Sequence, residues 1–252
     1  MVAQTTVNGA FRLFMETLAL ACTNCHIVVF SPRTIEWPGI VNVVSVPPGH
    51  IQHVRYGMYA NYLARHANTT FDAIVVCDTD VVFQQDVPSM PPGALNVSWE
   101  TTAYSIATEP SGANAAWVRH LYGEQEIARL GPLRVSCSGF TIGGDRRMRA
   151  YTRSMADEVQ TRVAAHQVEL QSTISYNLYR GLDQGVHNAL LHEGRLNRTA
   201  PAHVLTTGGA RLGRDFTIAG DSVRDLQGRP FLAVHQWTRS ELLKRMYAAR
   251  SN

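Results

Sequence analysis

The sequence predicts an α/β fold with a mostly parallel sheet, on three observations. Strand-like and helix-like segments alternate through the first hundred residues, the pattern from which parallel sheets are built. Residues 73–77 form a continuous apolar run, typical of a strand covered on both faces. The 252 residues are 45% hydrophobic and 17% charged, enough for one domain with a sizeable core and unlike a disordered or fibrous chain.

Residues 2–7 are short and polar for an opening strand; either the first strand is minimal or the chain is a trimmed piece of a longer protein. An amphipathic helix is expected over 11–21, then an apolar strand at Ile27–Phe30 closed by Ser31-Pro32. A second strand over 40–46 is stopped by Pro47-Pro48-Gly49. Helical spacing over 51–66 puts Val54, Met58 and Tyr62 on a buried face, with Tyr59 and Leu63 beside them. The strand at 73–77 follows.

The second half reads as strands at Leu95–Trp99 and 135–142, a long polar helix over 145–166 and a shorter helix at Leu182–His192. Gly- and Arg-rich loops then lead to a last strand at 231–234. No repeat, low-complexity stretch or linker divides the chain. One domain over 1–252 is expected, with halves of about 1–100 and 101–252.

Composition excludes several functions. With 23 basic and 20 acidic residues the net charge is +3, and no dense basic face suggests nucleic acid. Lys244 is the only lysine, so a mechanism needing lysine can be checked at one position. No apolar run approaches the roughly 20 residues of a membrane span, and no signal-peptide pattern opens the chain. The expected location is cytoplasmic as the chain stands, or the Golgi lumen if it is a fragment of an anchored protein. Sequons at Asn68, Asn96 and Asn197 matter only on secretion.

Cys22, Cys25, Cys77 and Cys137 are too few for a disulfide scaffold. Cys22-Thr-Asn-Cys25-His26 matches the c-type haem pattern formally, but it sits between a helix and a strand and leaves the acidic motif described next unexplained. Zinc would need two more ligands, and Cys77 and Cys137 are expected to pack in the core.

The strongest signal is Asp78-Thr79-Asp80, two carboxylates just past the buried strand. Ligands in open α/β sheets bind at the carboxyl ends of strands. An acidic pair there suits Mg²⁺ or Mn²⁺, which accept one or two carboxylates and keep room for phosphate oxygens. The bland reading is a polar turn.

A haloacid-dehalogenase-type phosphatase is one alternative, since Asp78-Thr-Asp80-Val-Val82 and Gly220-Asp221-Ser-Val-Arg-Asp225 resemble its acidic motifs. Against it, that family's nucleophile sits on the first strand. Its lysine also lies upstream of the last acidic motif, whereas Lys244 lies downstream.

Further motifs line up in order. Asp183-Gln184-Gly185-Val-His-Asn188 opens a helix, Ser136-Cys-Ser138-Gly139-Phe-Thr-Ile-Gly143-Gly144 is a strand ending in glycines, and His235-Gln-Trp237 follows an apolar run. Together with Arg55 ahead of the acidic pair, they resemble the GT-A-type nucleotide-sugar glycosyltransferases, most closely the retaining, glycogenin-like ones. The fuller His-x-x-Gly-x-x-Lys-Pro-Trp pattern of those enzymes is absent.

The resemblance implies a Rossmann-like mixed sheet, mostly parallel and flanked by helices, with a nucleotide-binding first half and an acceptor- and sugar-binding second half. It implies transfer of a sugar from a nucleoside-diphosphate sugar to a glycan or other hydroxyl acceptor, with retention. It assigns Asp183 and Gln184 to catalysis, and Arg55, Asp78, Thr79, Asp80, Ser138, Gly139, Gly143, Gly144 and Asn188 to the nucleotide sugar. Asp78, Asp80 and His235 become ligands of Mn²⁺ or Mg²⁺. If the reaction inverts, Asp183 or Glu100 is the base. A non-catalytic sugar-nucleotide- or glycan-binding homologue is the other alternative. Each residue also has an ordinary reading: Asp183 as a helix cap, His235 as a structural histidine, Arg55 as a solvated or salt-bridged arginine.

Overall fold

The computed structural model describes residues 1–3, 8–43, 46, 50–100, 104–165, 181–196, 200–207 and 210–248. Along the first half run β1 (Val2–Ala3), α1 (Gly9–Ala21), β2 (Ile27–Phe30), β3 (Ile40–Val43), α2 (Ile51–Arg65), β4 (Ile74–Cys77), β5 (Val81–Phe83) and β6 (Leu95–Trp99). Then come α3 (Ala113–Tyr122), α4 (Glu124–Leu130), β7 (Ser136–Gly143), α5 (Asp145–Ala165) and α6 (Leu182–His192). The last described elements are β8 (Ala200–Pro201), β9 (Val204–Thr206), β10 (Thr217–Ala219), β11 (Ser222–Arg224), β12 (Ala233–His235) and α7 (Glu241–Ala248).

The class is mixed α/β. β1, β2 and β3 form a parallel sheet, and a second sheet has the order β4-β7-β6-β8. Met1 joins them: its N donates to Val75 O at 2.6 Å and its O accepts from Cys77 N at 3.3 Å. β4 therefore flanks β1 on the side opposite β2, and the direction of strand progression reverses between them. Such a reversal is a topological switch point, where open α/β sheets bind ligands.

The expectation of a mostly parallel sheet needs correction. β7 runs antiparallel to both β4 and β6, and β5 runs antiparallel to β12. All eight residues of β7 are buried, and a strand buried on both faces carries the same apolar run whichever way it points. β5, β12 and β9 make a small third sheet and β10–β11 a hairpin.

Local chemistry explains the helices that frame the sheet. Asn8 caps α1, its Oδ1 accepting from Phe11 N at 2.9 Å, and the helix buries Phe11, Phe14, Met15 and Leu18. α2 turns Arg55, Tyr56, Met58, Tyr59, Tyr62 and Leu63 inward. Val54 is only half-buried, because the inner face is rotated to carry Arg55 and Tyr56. Tyr56, Tyr59 and Tyr62 share a core with Met148, Tyr151 and Met155 of α5. Each such side chain, fully buried, contributes about 1.5–3 kcal/mol.

Several boundaries shift. β12 covers 233–235 instead of 231–234, so His235 lies inside the strand. β1 and β3 are described only to Ala3 and Val43; residues 4–7, 44–45, 47–49 and His166 lie outside the described residues, as does the Asn197 sequon. Asn96 sits within β6 between β7 and β8, while Asn68 is exposed. Cys22 and Cys25 form a disulfide that the sequence did not predict, whereas Cys77 and Cys137 are free and buried. Among the described residues no helix is long and apolar enough to cross a membrane.

Candidate metal centre at the end of β4

β4 ends at Cys77 and β5 begins at Val81, so Asp78-Thr79-Asp80 occupies the step where the chain leaves one sheet for another. Asp78 N donates to Gly139 O at 2.9 Å, fixing the step against β7. β5 then pairs with β12, with Val81 opposite His235. This register delivers the histidine: its Nε2 lies 3.4 Å from Asp78 Oδ2 and 3.4 Å from Asp80 Oδ1.

Asp78, Asp80 and His235 offer ligand atoms within 4.8 Å of one another and form a group that could hold a metal ion. Two further features fit a cation. His235 is fully buried, yet its Nε2 has no hydrogen-bond partner despite the nearby carboxylates. A buried polar atom left unpaired is costly, and the ring is placed as a ligand would be. Gly139 leaves the necessary space, since a Cβ there would overlap His235 Cε1 and lie 2.5 Å from Asp78 Oδ2.

Arg55 ties this group to α6. Its guanidinium, buried, donates to Asp78 Oδ1 and Asp183 Oδ2, and reaches Ser138 Oγ at 3.4 Å. Burial disfavours the carboxylate of Asp78, but Arg55 and then His235 outweigh it and hold the group well below the usual range. At Asp183 burial prevails, pushing the carboxyl up against the pull of Arg55. Burial also opposes protonation of His235, yet Cys137, Asp78 and Asp80 together draw its pKa well above the ordinary value.

Asp183 is not the helix cap. Gly181 is the N-cap of α6 and no side chain caps it. A Cβ at Gly181 would overlap the Trp117 ring, so glycine lets α6 start flush against α3. That start places Asp183 in the first turn, 1% exposed.

The neighbouring amides serve the scaffold. Gln184 Oε1 accepts from Ser138 N at 2.7 Å, and its Nε2 donates to Ser136 O. Asn188 accepts from Ser136 N at 2.8 Å and donates to Ser136 O at 3.0 Å. Both pair with the β7 backbone as a strand would, so their polar groups point at β7 where the sequence suggested sugar contacts. Gly143 and Gly144 are displaced from the site altogether. Gly143 pairs with Ile74 at the other end of β4, and a Cβ at Gly144 would overlap Pro91 O. They allow close packing at the far end of these strands. Ser138 and Gly139, by contrast, are at the centre.

A buried chain that the sequence did not reveal supports this floor. Tyr56 OH lies 3.0 Å from Tyr151 OH, which lies 3.0 Å from His187 Nδ1. His187 Nε2 is 2.9 Å from Ser136 Oγ, which donates to Ser98 O at 3.0 Å. Because the serine proton goes to Ser98, Nε2–H must donate to Ser136 and Nδ1 must accept from Tyr151. Burial pushes the His187 pKa down to about 3, consistent with that neutral tautomer. The helix spacing of Asp183 and His187 was the available clue.

Glu100 follows β6, and burial with the neighbouring Glu109 pushes its pKa up to about 7, against Arg239 and His235. A cavity of about 390 Å³ lies elsewhere, at the starts of β2 and β4, lined by Phe14, Leu18, Cys22, Cys25 and Ile27 among others. It shares no residue with the metal group. No family model matches the chain, and no curated protein matches it either.

Proposed function

We propose that the chain is a metal-dependent glycosyltransferase of the GT-A type, moving a sugar from a nucleoside diphosphate to an acceptor hydroxyl with retention of configuration. The observation that carries the reading is the meeting of Asp78, Asp80 and His235 at one point, with Arg55 linking Asp78 to Asp183. The alternating half from β1 to β4, with the acidic pair at its switch point, supports a Rossmann-like donor site.

Asp78, Asp80 and His235 would hold Mn²⁺ or Mg²⁺. When bound, the cation supplies Lewis-acid neutralisation of the departing diphosphate. Thr79 lies between its ligands and Ser138 beside Arg55, where donor atoms would approach. Arg55 offers charge-assisted donors suited to phosphate or sugar oxygens. Asp183 presents negative charge from a rigid helix start, which favours an oxocarbenium-like transition state. Under retention the leaving phosphate takes the acceptor proton. Under inversion Glu100 is the better base, since a carboxyl with a pKa near neutrality matches the working pH.

The phosphatase reading loses its second motif. Asp225 accepts from Gln227 N, Arg229 N and Arg229 Nε within its own turn, and it is not part of the metal group. Hydrolysis of common nucleotide sugars with and without Mn²⁺ tests the proposal. Metal-dependent release of nucleoside diphosphate from one of them is expected. Binding without turnover across the panel would favour the non-catalytic alternative, and metal-dependent hydrolysis of phosphomonoesters alone would favour the phosphatase.

A further inference from the structure

The two nitrogens of the His235 ring face different chemistry. Nε2 faces Asp78 and Asp80, and Nδ1 lies 3.6 Å from Cys137 Sγ. Cys137 is a free thiol on β7, 3% exposed. The Gln236 amide also comes within 4.0 Å of Sγ, while Gln236 Oε1 is buried without a partner.

Gln236 is held in this position at a backbone cost. Its φ of 58° is the only positive value at a non-glycine residue among those described, a conformation that side chains other than glycine rarely adopt. Hydrogen bonds on both sides impose it: Gln236 N donates to Asp80 O at 3.0 Å, and Gln236 O accepts from Thr207 Oγ1. The bend keeps Gln236 beside the acidic pair and its amide against Cys137. The O and N of an amide can exchange places without moving the residue. With Oε1 toward Sγ, the orphaned oxygen gains a thiol donor.

We propose that Cys137 and Gln236 are positioning residues for His235 as a cation ligand. Nδ1–H donates to Cys137 Sγ, the Cys137 S–H donates to Gln236 Oε1, and in the neutral ring that a bound cation requires this chain leaves Nε2 bare toward Asp78 and Asp80. A neutral imidazole can coordinate through only one nitrogen, and the partner of the other nitrogen selects the tautomer. The opposite tautomer would place a proton on the face where the cation binds. The inference rests on the reading of Asp78, Asp80 and His235 as a metal site.

Mn²⁺ binding, followed by the electron paramagnetic resonance of the free ion, tests it without any assay of turnover. His235→Ala should bind Mn²⁺ more weakly than the wild type. Cys137→Val, which keeps an apolar side chain there and removes the acceptor, should lose about 10–100-fold in affinity, the usual effect of a lost partner behind a ligand. Cys137→Ser, which restores an acceptor and donor, should stay within about threefold on the same grounds. Gln236→Met should fall between wild type and Cys137→Val.

Metal-free thermal unfolding shows whether each variant folds; should Cys137→Val not fold, Cys137→Ala takes its place. With Co²⁺ the wild type should show no thiolate charge-transfer band, since Sγ faces Nδ1 and not the cation. Wild-type Mn²⁺ affinity in folded Cys137→Val or Cys137→Ala, or a Co²⁺–thiolate band, overturns this inference and leaves His235 as a ligand. Absence of Mn²⁺ binding by the wild type, or unchanged binding by His235→Ala, overturns the metal reading itself and the inference with it.

Discussion

Arg55 on α2 and Asp183 at the start of α6, 128 positions apart, form a buried ion pair, and the same guanidinium holds Asp78. The Asp78, Asp80 and His235 group at the end of β4 and the first turn of α6 are thus one electrostatic unit. Arg55 compensates Asp78 and Asp183 together.

Removing Arg55 should therefore be costly for the fold. Arg55→Met leaves the buried Asp183 without its partner, and breaking a buried pair in this way costs about 3–5 kcal/mol. Denaturant unfolding should show a loss of that order. In the double variant Arg55→Met/Asp183→Asn the combined loss should be clearly smaller than the sum of the single losses, because the two residues share one interaction. Additive losses would mean that the pair carries no coupling.

Gly139→Ala should damage cation binding before it damages folding. The added methyl would meet the His235 ring and Asp78 Oδ2, the latter at 2.5 Å. Overpacking of this kind costs about 1–3 kcal/mol, and relief requires the histidine or the aspartate to move. A calorimetric titration with Mn²⁺ should show affinity at least about tenfold lower, about 1.4 kcal/mol being a tenfold change. Full affinity would show that Asp78 and His235 need not be close to bind the ion.

His187 gives a signed dependence on pH. Its pKa is about 3 when folded against an ordinary value of 6.5. The unfolded chain therefore takes up the proton first, and the stability present above pH 6.5 is lost as pH falls toward 3. The slope approaches about 1.4 kcal/mol per pH unit for one proton. Urea unfolding at pH 7 and pH 5 should show a larger loss in the wild type than in His187→Gln, by about 1–2 kcal/mol. Equal losses would mean that His187 takes up a proton as readily in the folded protein as in the unfolded chain.

Glu100 acts in the opposite direction from an ion-paired carboxylate. Its folded pKa of about 7 lies above the ordinary 4.5, so the folded state retains a proton that the unfolded chain releases. The stability contributed by Glu100 is present below pH 4.5 and is lost as pH rises through 7. Glu100→Gln should remove this loss and be more stable relative to wild type at pH 8 than at pH 5, by at least about 1 kcal/mol. No change in the difference between these pH values would place the carboxyl in ordinary solvent.

The parts of the fold that were legible in the sequence depend on local signals. The apolar run of β4 followed by two aspartates, the helical spacing of α2, and the span of α6 at Leu182–His192 all emerged as expected. Direction was not legible, because β7 is buried on both faces and alternation is lost. α3 and α4 were missed, being short and separated at Gly123. The register that puts His235 inside β12 and opposite Val81 is a long-range choice that residues 231–237 do not encode by themselves.

At the site, acidic and cationic residues were easier to find than the polar groups supporting them. Asp78, Asp80, Arg55, Asp183, Ser138 and His235 do come together. Gln184 and Asn188 have the chemistry of sugar contacts, but here the same amides serve the β7 backbone. Gly143 and Gly144 follow Gly139 along the chain and lie at the opposite end of the strands. The disulfide at Cys22 and Cys25 needed the turn between α1 and β2 to be seen.

On the proposed function, Asp78, Asp80 and His235 hold a divalent cation that carries a nucleoside diphosphate. The affinity of wild-type protein and Asp80→Ala for nucleoside diphosphates, with Mn²⁺ and with excess chelator, tests this. At least one of them should bind the wild type tightly with Mn²⁺. Its affinity should fall at least about 100-fold, or about 2.7 kcal/mol, on either chelation or Asp80→Ala, with thermal stability of the metal-free protein retained. Equal affinity with and without metal, or an unchanged affinity in Asp80→Ala, would mean that no such cation bridges protein and diphosphate.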